Sequence, residues 1–215
     1  MTRAVRARWD DERTAAIAAG LRADLARRKS SPKAPFEPPA SPFGRTPEGL
    51  VDYRGLRLTE PIRHARVAGV DFTAVALGGG GQLDSDFTSC VFDQAVLRGT
   101  YVGRSFTRCS FRRAGLDRCR LPASFTDCSF AGARLRGVVA SGRTFTRCDF
   151  TGADLHGSHF DHCAFVDCRF ADLTTGFASL AGSTFAGEVD LTVFTDTVLD
   201  HVTVSEPHPA TPPRP

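Results

Sequence analysis

The chain has 215 residues, 41% hydrophobic and 24% charged, with a formal net charge of +3. That is enough apolar material for one or two folded domains, and too little net charge to favour nucleic acid or a membrane surface by whole-chain electrostatics. No run of 18 apolar residues occurs, and the basic start MTRAVRAR leads into WDDER rather than an apolar stretch, so the chain reads as soluble and cytoplasmic, without a membrane partner. Seven cysteines, an odd number, argue for reduced thiols rather than a disulfide framework. Phe is used 17 times against two Tyr and one Trp, so something in the fold selects Phe. Arginine outnumbers lysine 25 to 2, the usage of a GC-rich bacterial genome.

In chain order, residues 1–29 come first. The stretch DDERTAAIAAGLRADLARRK at 10–29 sets Ile17, Leu21 and Leu25 on one face, with acids at its start and bases at its end. These features predict a single amphipathic helix aligned with its own macrodipole. Residues 30–48 hold six prolines in 19 positions, which predicts an extended linker and a helix that is tethered rather than embedded. Residues 49–71, with Val51, Leu56, Leu58, Ile62 and Val67, are assigned as an N-terminal cap. The proline-rich tail 205–215 is expected to be disordered.

Between cap and tail, residues 72–204 repeat. With a large apolar residue at the centre of each unit, a five-residue period runs from Phe72 to Val204, given four-residue steps near 97–101, 121–125 and 185–189. Of the 28 centres 22 are Phe or Leu, and the residue two before the centre is small in 25 units. Strands alternate with period 2 and helices with period 3.6, so neither makes this rhythm. A chain that turns a corner after each unit does. If four corners close a coil, every fourth unit shares a wall, and the residues sort that way. One wall collects Phe87, Phe106, Phe125, Phe145, Phe165 and Phe185. The next collects Phe72, Phe92, Phe111, Phe130, Phe150 and Phe170, with Cys90, Cys109, Cys128, Cys148 and Cys168 at its small position. A third runs Leu77, Leu97, Leu116, Leu135, Leu155 over an Ala series, and the fourth is mixed: Gln82, Tyr101, Leu121, Ala140, Phe160, Leu180, Leu199. The expectation is an all-β solenoid, a quadrilateral β-helix of about seven coils, preceded by one α-helix and a linker. Arg104 and Arg143 fall on small inward positions, where the coil must bulge, and Gly78–Gly81 reads as a surface loop.

The stretches TGADLHGSHF (151–160), FAGARLRG (130–137) and FRRAGLDRCRL (111–121) resemble the A-(D/N)-L-x-x signature of the pentapeptide-repeat family, and the resemblance covers 72–204. It implies a right-handed quadrilateral β-helix with the centre and small residues pointing inward. A weaker resemblance, to the quinolone-resistance members, implies a mimic of duplex DNA that binds a type II topoisomerase.

Candidate chemistry is sparse. All seven cysteines sit at small inward positions, where Cys acts as compact apolar filler, and they form ladders rather than a tetrahedral zinc site. His156, His159 and His162 face outward near Asp154 and Asp161, and a regular exposed wall offers no pocket for metal binding or acid–base work. No catalytic, metal or cofactor residues are assigned, and an enzymatic or metal role for the His156 cluster is the weakest alternative. Charge is more informative. Residues 94–148 carry 11 Arg against Asp117 and Asp127, a net of +9, whereas residues 149–206 carry eight Asp and two Glu against Arg169, a net of −9. The leading expectation is a non-catalytic protein-binding scaffold, with DNA gyrase or topoisomerase IV as the candidate partner. Its partner-binding acids would be Asp149, Asp154, Asp161, Asp167, Asp172, Asp190, Asp196 and Asp200. The alternative is direct nucleic-acid binding through the arginine band at 94–148.

Overall fold

The structure is a computed structural model that describes residues 2–31, 37–77 and 81–205. It opens with a short helix α1 (Thr2–Ala7) and a 20-residue helix α2 (Asp11–Ser30), started by Asp10, whose carboxylate accepts the Arg13 backbone N–H at 2.8 Å. The chain then winds through β1 (Val51–Asp52), β2 (Arg57–Leu58), β3 (Ile62–Ala68), β4 (Val70–Asp71), β5 (Ala76–Leu77) and β6 (Gln82–Thr88). It continues through β7 (Tyr101–Thr107), β8 (Ala123–Thr126), β9 (Thr144–Thr146), β10 (Ala164–Val166), β11 (Thr184–Ala186) and β12 (Thr203–Ser205). Among the described residues, helix is otherwise confined to a 3-10 turn at Leu191–Val193.

Eight of these strands, β3 and β6 to β12, form one parallel sheet in chain order, and that sheet is the first wall of a solenoid of eight levels. At the usual interstrand spacing the wall is about 34 Å long. The other three walls are ladders of parallel bridges, such as Val91, Ser110, Ser129, Asp149, Arg169 on the second and Val96, Gly115, Arg134, Asp154, Thr174 on the third. Each corner is a turn whose second residue after the centre adopts positive φ, at glycine (Gly137, +60°) and equally at Arg118 (+57°) or Asp127 (+54°). Left-handed backbone costs an ordinary residue about 1 kcal/mol, so the stacked hydrogen bonds and the core must hold these corners.

The interior is solid. On the first wall Phe87, Phe106, Phe125, Phe145, Phe165 and Phe185 stack face to face with centroids 4.8–5.3 Å apart. On the second, Phe72, Phe92, Phe111, Phe130, Phe150 and Phe170 do the same at 4.9–5.3 Å. The two columns meet edge to face, as at Phe125 and Phe130, 5.2 Å apart. This arrangement satisfies the ring quadrupoles in both directions, which explains why Phe rather than Leu occupies these walls.

The cysteine column has a polar task besides filling space. Each thiol reaches a carbonyl of the preceding coil: Cys90 to Val67 at 3.7 Å, Cys109 to Phe87 at 3.6 Å, Cys128 to Phe106 at 3.4 Å, Cys148 to Phe125 at 3.6 Å and Cys168 to Phe145 at 3.3 Å. Alanine would leave the space of the sulfur empty and donate nothing to the corner.

Three expectations need correction. On the fourth wall Gln82 and Tyr101 point outward, Tyr101 being 39% exposed, while Leu83 and Val102 are the fully buried members of the column. The four-residue step expected near 97–101 therefore lies between Val102 and Phe106, after the corner rather than before it, and the coil before it makes the same step between Leu83 and Phe87. The segment 51–71 is itself the first coil, since β1 pairs with β4 and β2 with β5, which brings the solenoid to eight levels. The helix is docked, not tethered. Ile17 and Leu21 are buried in the same core as Leu58 and Ile62, Trp9 Nε1 donates to the Arg54 carbonyl at 2.7 Å, and Arg28 donates to the carbonyls of Arg63 and His64 at 2.9 and 2.7 Å. Residues 37–50 pack with it: Trp9 and Phe43 meet at 5.0 Å, and Tyr53 donates to the Pro39 carbonyl. An uncovered first coil would expose apolar rings and unpaired strand edges, which is the physical reason for the cover.

Arg104 and Arg143 are both exposed, as a bulge requires; φ is +75° at Arg104. The second end is closed by Phe194, which packs against Phe170 at 5.1 Å and Phe185 at 5.7 Å. Gly78–Gly80, the proline-rich stretch 32–36 and the tail 206–215 lie outside the described residues. No described helix is long and apolar enough to cross a membrane.

Candidate functional site

Because the inward positions are filled, whatever the solenoid does is done by outward side chains held in register by the coil. The clearest ordering is at the corner after the first wall, where Arg108, Asp127, Arg147 and Asp167 follow one another level by level, each at positive φ. Arg147 Nε lies 2.6 Å from Asp127 Oδ1 and Nη2 lies 3.0 Å from Oδ2, and this pairing holds the Asp127 carboxyl below the usual carboxylate range. Charges of opposite sign thus alternate along this corner rather than accumulating.

The eight candidate acids are placed by the coil around its whole perimeter. Asp149 stands on the second wall and Asp154 on the third, while Asp167, Asp172 and Asp196 occupy three different corners. Four of the eight are engaged locally. Asp149 accepts from the Thr151 backbone and hydroxyl at 3.0 and 2.7 Å, Asp154 pairs with Arg136, Asp161 accepts from Ser179 and from Ala181 N at 3.2 Å, and Asp190 accepts from Thr192 N at 2.9 Å. Such bonds explain their presence as turn-closing residues. Asp167, Asp172, Asp196 and Asp200 are exposed, but do not form one stripe.

The three candidate histidines are exposed. His159 lies 3.7 Å from Asp161, and His156 packs edge-on against Phe177 at 5.6 Å. Among the described residues no group of three His, Cys, Asp or Glu is arranged to hold a metal ion. All seven cysteines are buried free thiols. Burial pushes Cys119 up to about 12 and Cys163 up to about 11, away from thiolate chemistry at neutral pH.

Sequence reasoning missed a concave feature. At the corner after the third wall the ladder runs Gly99, Arg118, Gly137, Gly157, Phe177, and the two adjacent glycines leave a notch of about 520 Å³ walled by Arg98, Asp117, Arg118, Arg134, Arg136 and His156. Phe177 stands at its end, 80% exposed. The signal was available: Phe177 lies two residues after an inward centre, Thr175, and so belongs to a corner.

Fold and repeat together define the class: a four-walled parallel β-solenoid assembled from five-residue units, with the centre and the small residue of each unit inside. A family model described as pentapeptide repeats, with eight copies, matches residues 123–165 and 144–175, within the region where that geometry is most regular. Residues 123–175 thus match the pentapeptide-repeat family, and the same coil geometry continues on either side of them. Among solved structures it is similar to QnrB1, a plasmid-mediated fluoroquinolone resistance protein, at 17% identity and a TM-score of 0.35, over 69% of this chain and 86% of that one. HetL, involved in heterocyst differentiation regulation in the cyanobacterium Nostoc sp. PCC 7120, is similar at 15% identity and 0.31, over 71% and 81%. Rfr23 from the cyanobacterium Cyanothece 51142 is similar at 14% identity and 0.33, over 54% and 64%. No curated protein sequence matches the chain.

Proposed function

We propose that the chain is a non-catalytic scaffold that binds a protein partner along its outer walls. The observation that carries this is the register: outward residues recur level by level on rigid walls, over a core filled by stacked rings. Preorganised, evenly spaced side chains bind an extended partner surface with little ordering cost. DNA gyrase or topoisomerase IV is the named candidate, and it rests on the sequence resemblance to quinolone-resistance members. The alternation Arg108, Asp127, Arg147, Asp167 and the local use of Asp149, Asp154, Asp161 and Asp190 weigh against a surface of uniform negative charge.

The test has two arms with the full chain. Purified protein is added to gyrase supercoiling reactions with and without a quinolone; no change in either removes the topoisomerase version. Cross-linking and capture from host lysate is then compared between wild type and a variant reversing Asp149 on the second wall together with Arg112 and Arg113 in the turn that ends it. A partner retained by wild type and lost by the variant supports the scaffold, and identical capture by both refutes this wall as its surface.

A further inference from the structure

The notch at the third corner has a composition that the protein-binding reading does not use. Its floor is backbone: Gly157 has open space where a side chain would stand, and Gly137 is approached only by the Arg118 stem at 3.6 Å. Four guanidinium groups surround it. Arg134 lies 3.5 Å from Asp117 and is 61% exposed, and Arg136 is paired with Asp154 yet 59% exposed. Arg98 and Arg118 have no acid partner among the described residues, and both side chains are exposed. Gly115 contributes as well, because a Cβ there would meet the Arg134 guanidinium at 2.9 Å; glycine lets that group lie across the wall toward the notch. The surplus is positive, and the floor offers no bulk to exclude an anion.

The second element is Phe177. Every other Phe from 72 onward that stacks in the coil faces inward, whereas this one stands at φ +60° on a corner with 80% of its surface in water. A large apolar ring in a strained backbone conformation is costly to display and gains nothing from the core. His156 packs perpendicular to it, at 89° with centroids 5.6 Å apart, which steadies a ring that still has most of its surface in water. Arg118 and Phe177 are three coils apart on the same corner, about 14 Å, with the glycine floor between them.

Cationic groups beside a free aromatic face along an open groove is the arrangement that holds an unpaired nucleotide strand: phosphates on guanidinium groups, a base on the ring. Duplex has its bases stacked on each other and presents nothing to Phe177. We propose that this notch is a binding site for single-stranded nucleic acid, with Arg98, Arg118, Arg134 and Arg136 on the phosphates and Phe177 under a base. The site is independent of any protein bound to the other walls.

The experiment is fluorescence anisotropy of the full-length protein with a labelled ten-residue oligothymidylate at low salt, with AMP, inorganic phosphate and a duplex as competitors. The expected result is binding that AMP displaces weakly, phosphate more weakly still, and duplex less well than unlabelled single strand. Phe177→Gly, which keeps the corner conformation and removes the ring, should weaken binding roughly fivefold to a hundredfold, and Phe177→Trp should restore it. Arg98→Gln and Arg118→Gln should each lower the slope of log affinity against log salt by about 0.7. Circular dichroism of each variant identifies any that fails to fold. If AMP displaces the strand as well as unlabelled oligonucleotide does, the site takes free nucleotides and the strand proposal is overturned. Failure to bind at low salt, equal affinity for duplex, or unchanged affinity in folded Phe177→Gly would equally overturn it.

Discussion

Removing one ring from the middle of the first wall should reveal what the Phe columns contribute. Phe125 is 1% exposed and lies between Phe106 at 5.2 Å and Phe145 at 5.3 Å, with Phe130 edge-on at 5.2 Å and Phe111 at 6.1 Å. Truncating a fully buried Phe to Ala costs about 3–5 kcal/mol through lost transfer energy and the residual cavity. The column cannot collapse to fill the space, because Phe106 and Phe145 are held apart by the ladders on either side of β8, so Phe125→Ala should fall at about 4–5 kcal/mol. Phe170 is only partly buried and sits near the second end, where Phe194 can move inward, so Phe170→Ala should cost about half as much. Equilibrium urea unfolding followed by far-ultraviolet circular dichroism measures both. A loss below about 2 kcal/mol at Phe125, or equal losses at the two positions, would refute the argument that stacked rings carry the stability of the rod.

Other predictions concern the covered end and the thiols. Asp52 is buried beneath Arg8 and Arg54; burial alone would raise its carboxyl, but hydrogen bonds from Arg54 and Arg8 outweigh this and hold its pKa well below the carboxylate range. A depressed folded pKa stabilises above the unfolded value of about 4 and is lost as pH falls below it. Emission from Trp9, the single tryptophan, bonded to the Arg54 carbonyl, should therefore stay constant from neutral pH down to about pH 5 and shift red in stronger acid. Asp52→Asn should show the shifted emission already at neutral pH, since breaking a buried pair costs about 3–5 kcal/mol; unshifted emission would contradict the docked arrangement. The seven thiols should be inert to a disulfide reagent at pH 8 in the folded protein and all titrate in guanidinium, whereas one rapidly labelled thiol in the folded state would contradict their burial.

Much of the solenoid was legible because its code is local and repeated. Phe106, Phe125 and Phe145 can be placed over one another from spacing alone, since a four-walled coil leaves them no other position. The fourth wall was misread at Gln82 and Tyr101 because a four-residue step can be set on either side of one corner, and only the apolar series Leu83, Val102, Leu121 resolves it. The docked helix was hidden for a different reason. Its buried face holds Ile17 and Leu21 but also Asp24 and Arg28, an i,i+4 ion pair at 2.7 Å that reads as a solvated face, and the Arg28 bonds to the Arg63 and His64 carbonyls exist only once the first coil is formed. The acids of the second half stood out as a net charge along the sequence; wound around four walls and corners, they disperse. The notch shows the opposite effect, because Arg98, Arg118 and Phe177 are far apart in sequence and meet on one corner through the winding.

The in-register coil is tested most directly by a cross-link. Thr126 and Thr146 are Cα partners on adjacent strands of the first wall, about 4.8 Å apart and outward-facing, within the reach of a disulfide. Under mild oxidation the pair Thr126→Cys and Thr146→Cys should close within one chain, while Thr126→Cys with Asp154→Cys, on opposite walls, should stay open. The reverse pattern, or no closure of the first pair in folded protein, would contradict a coil that returns to the same wall after 20 residues.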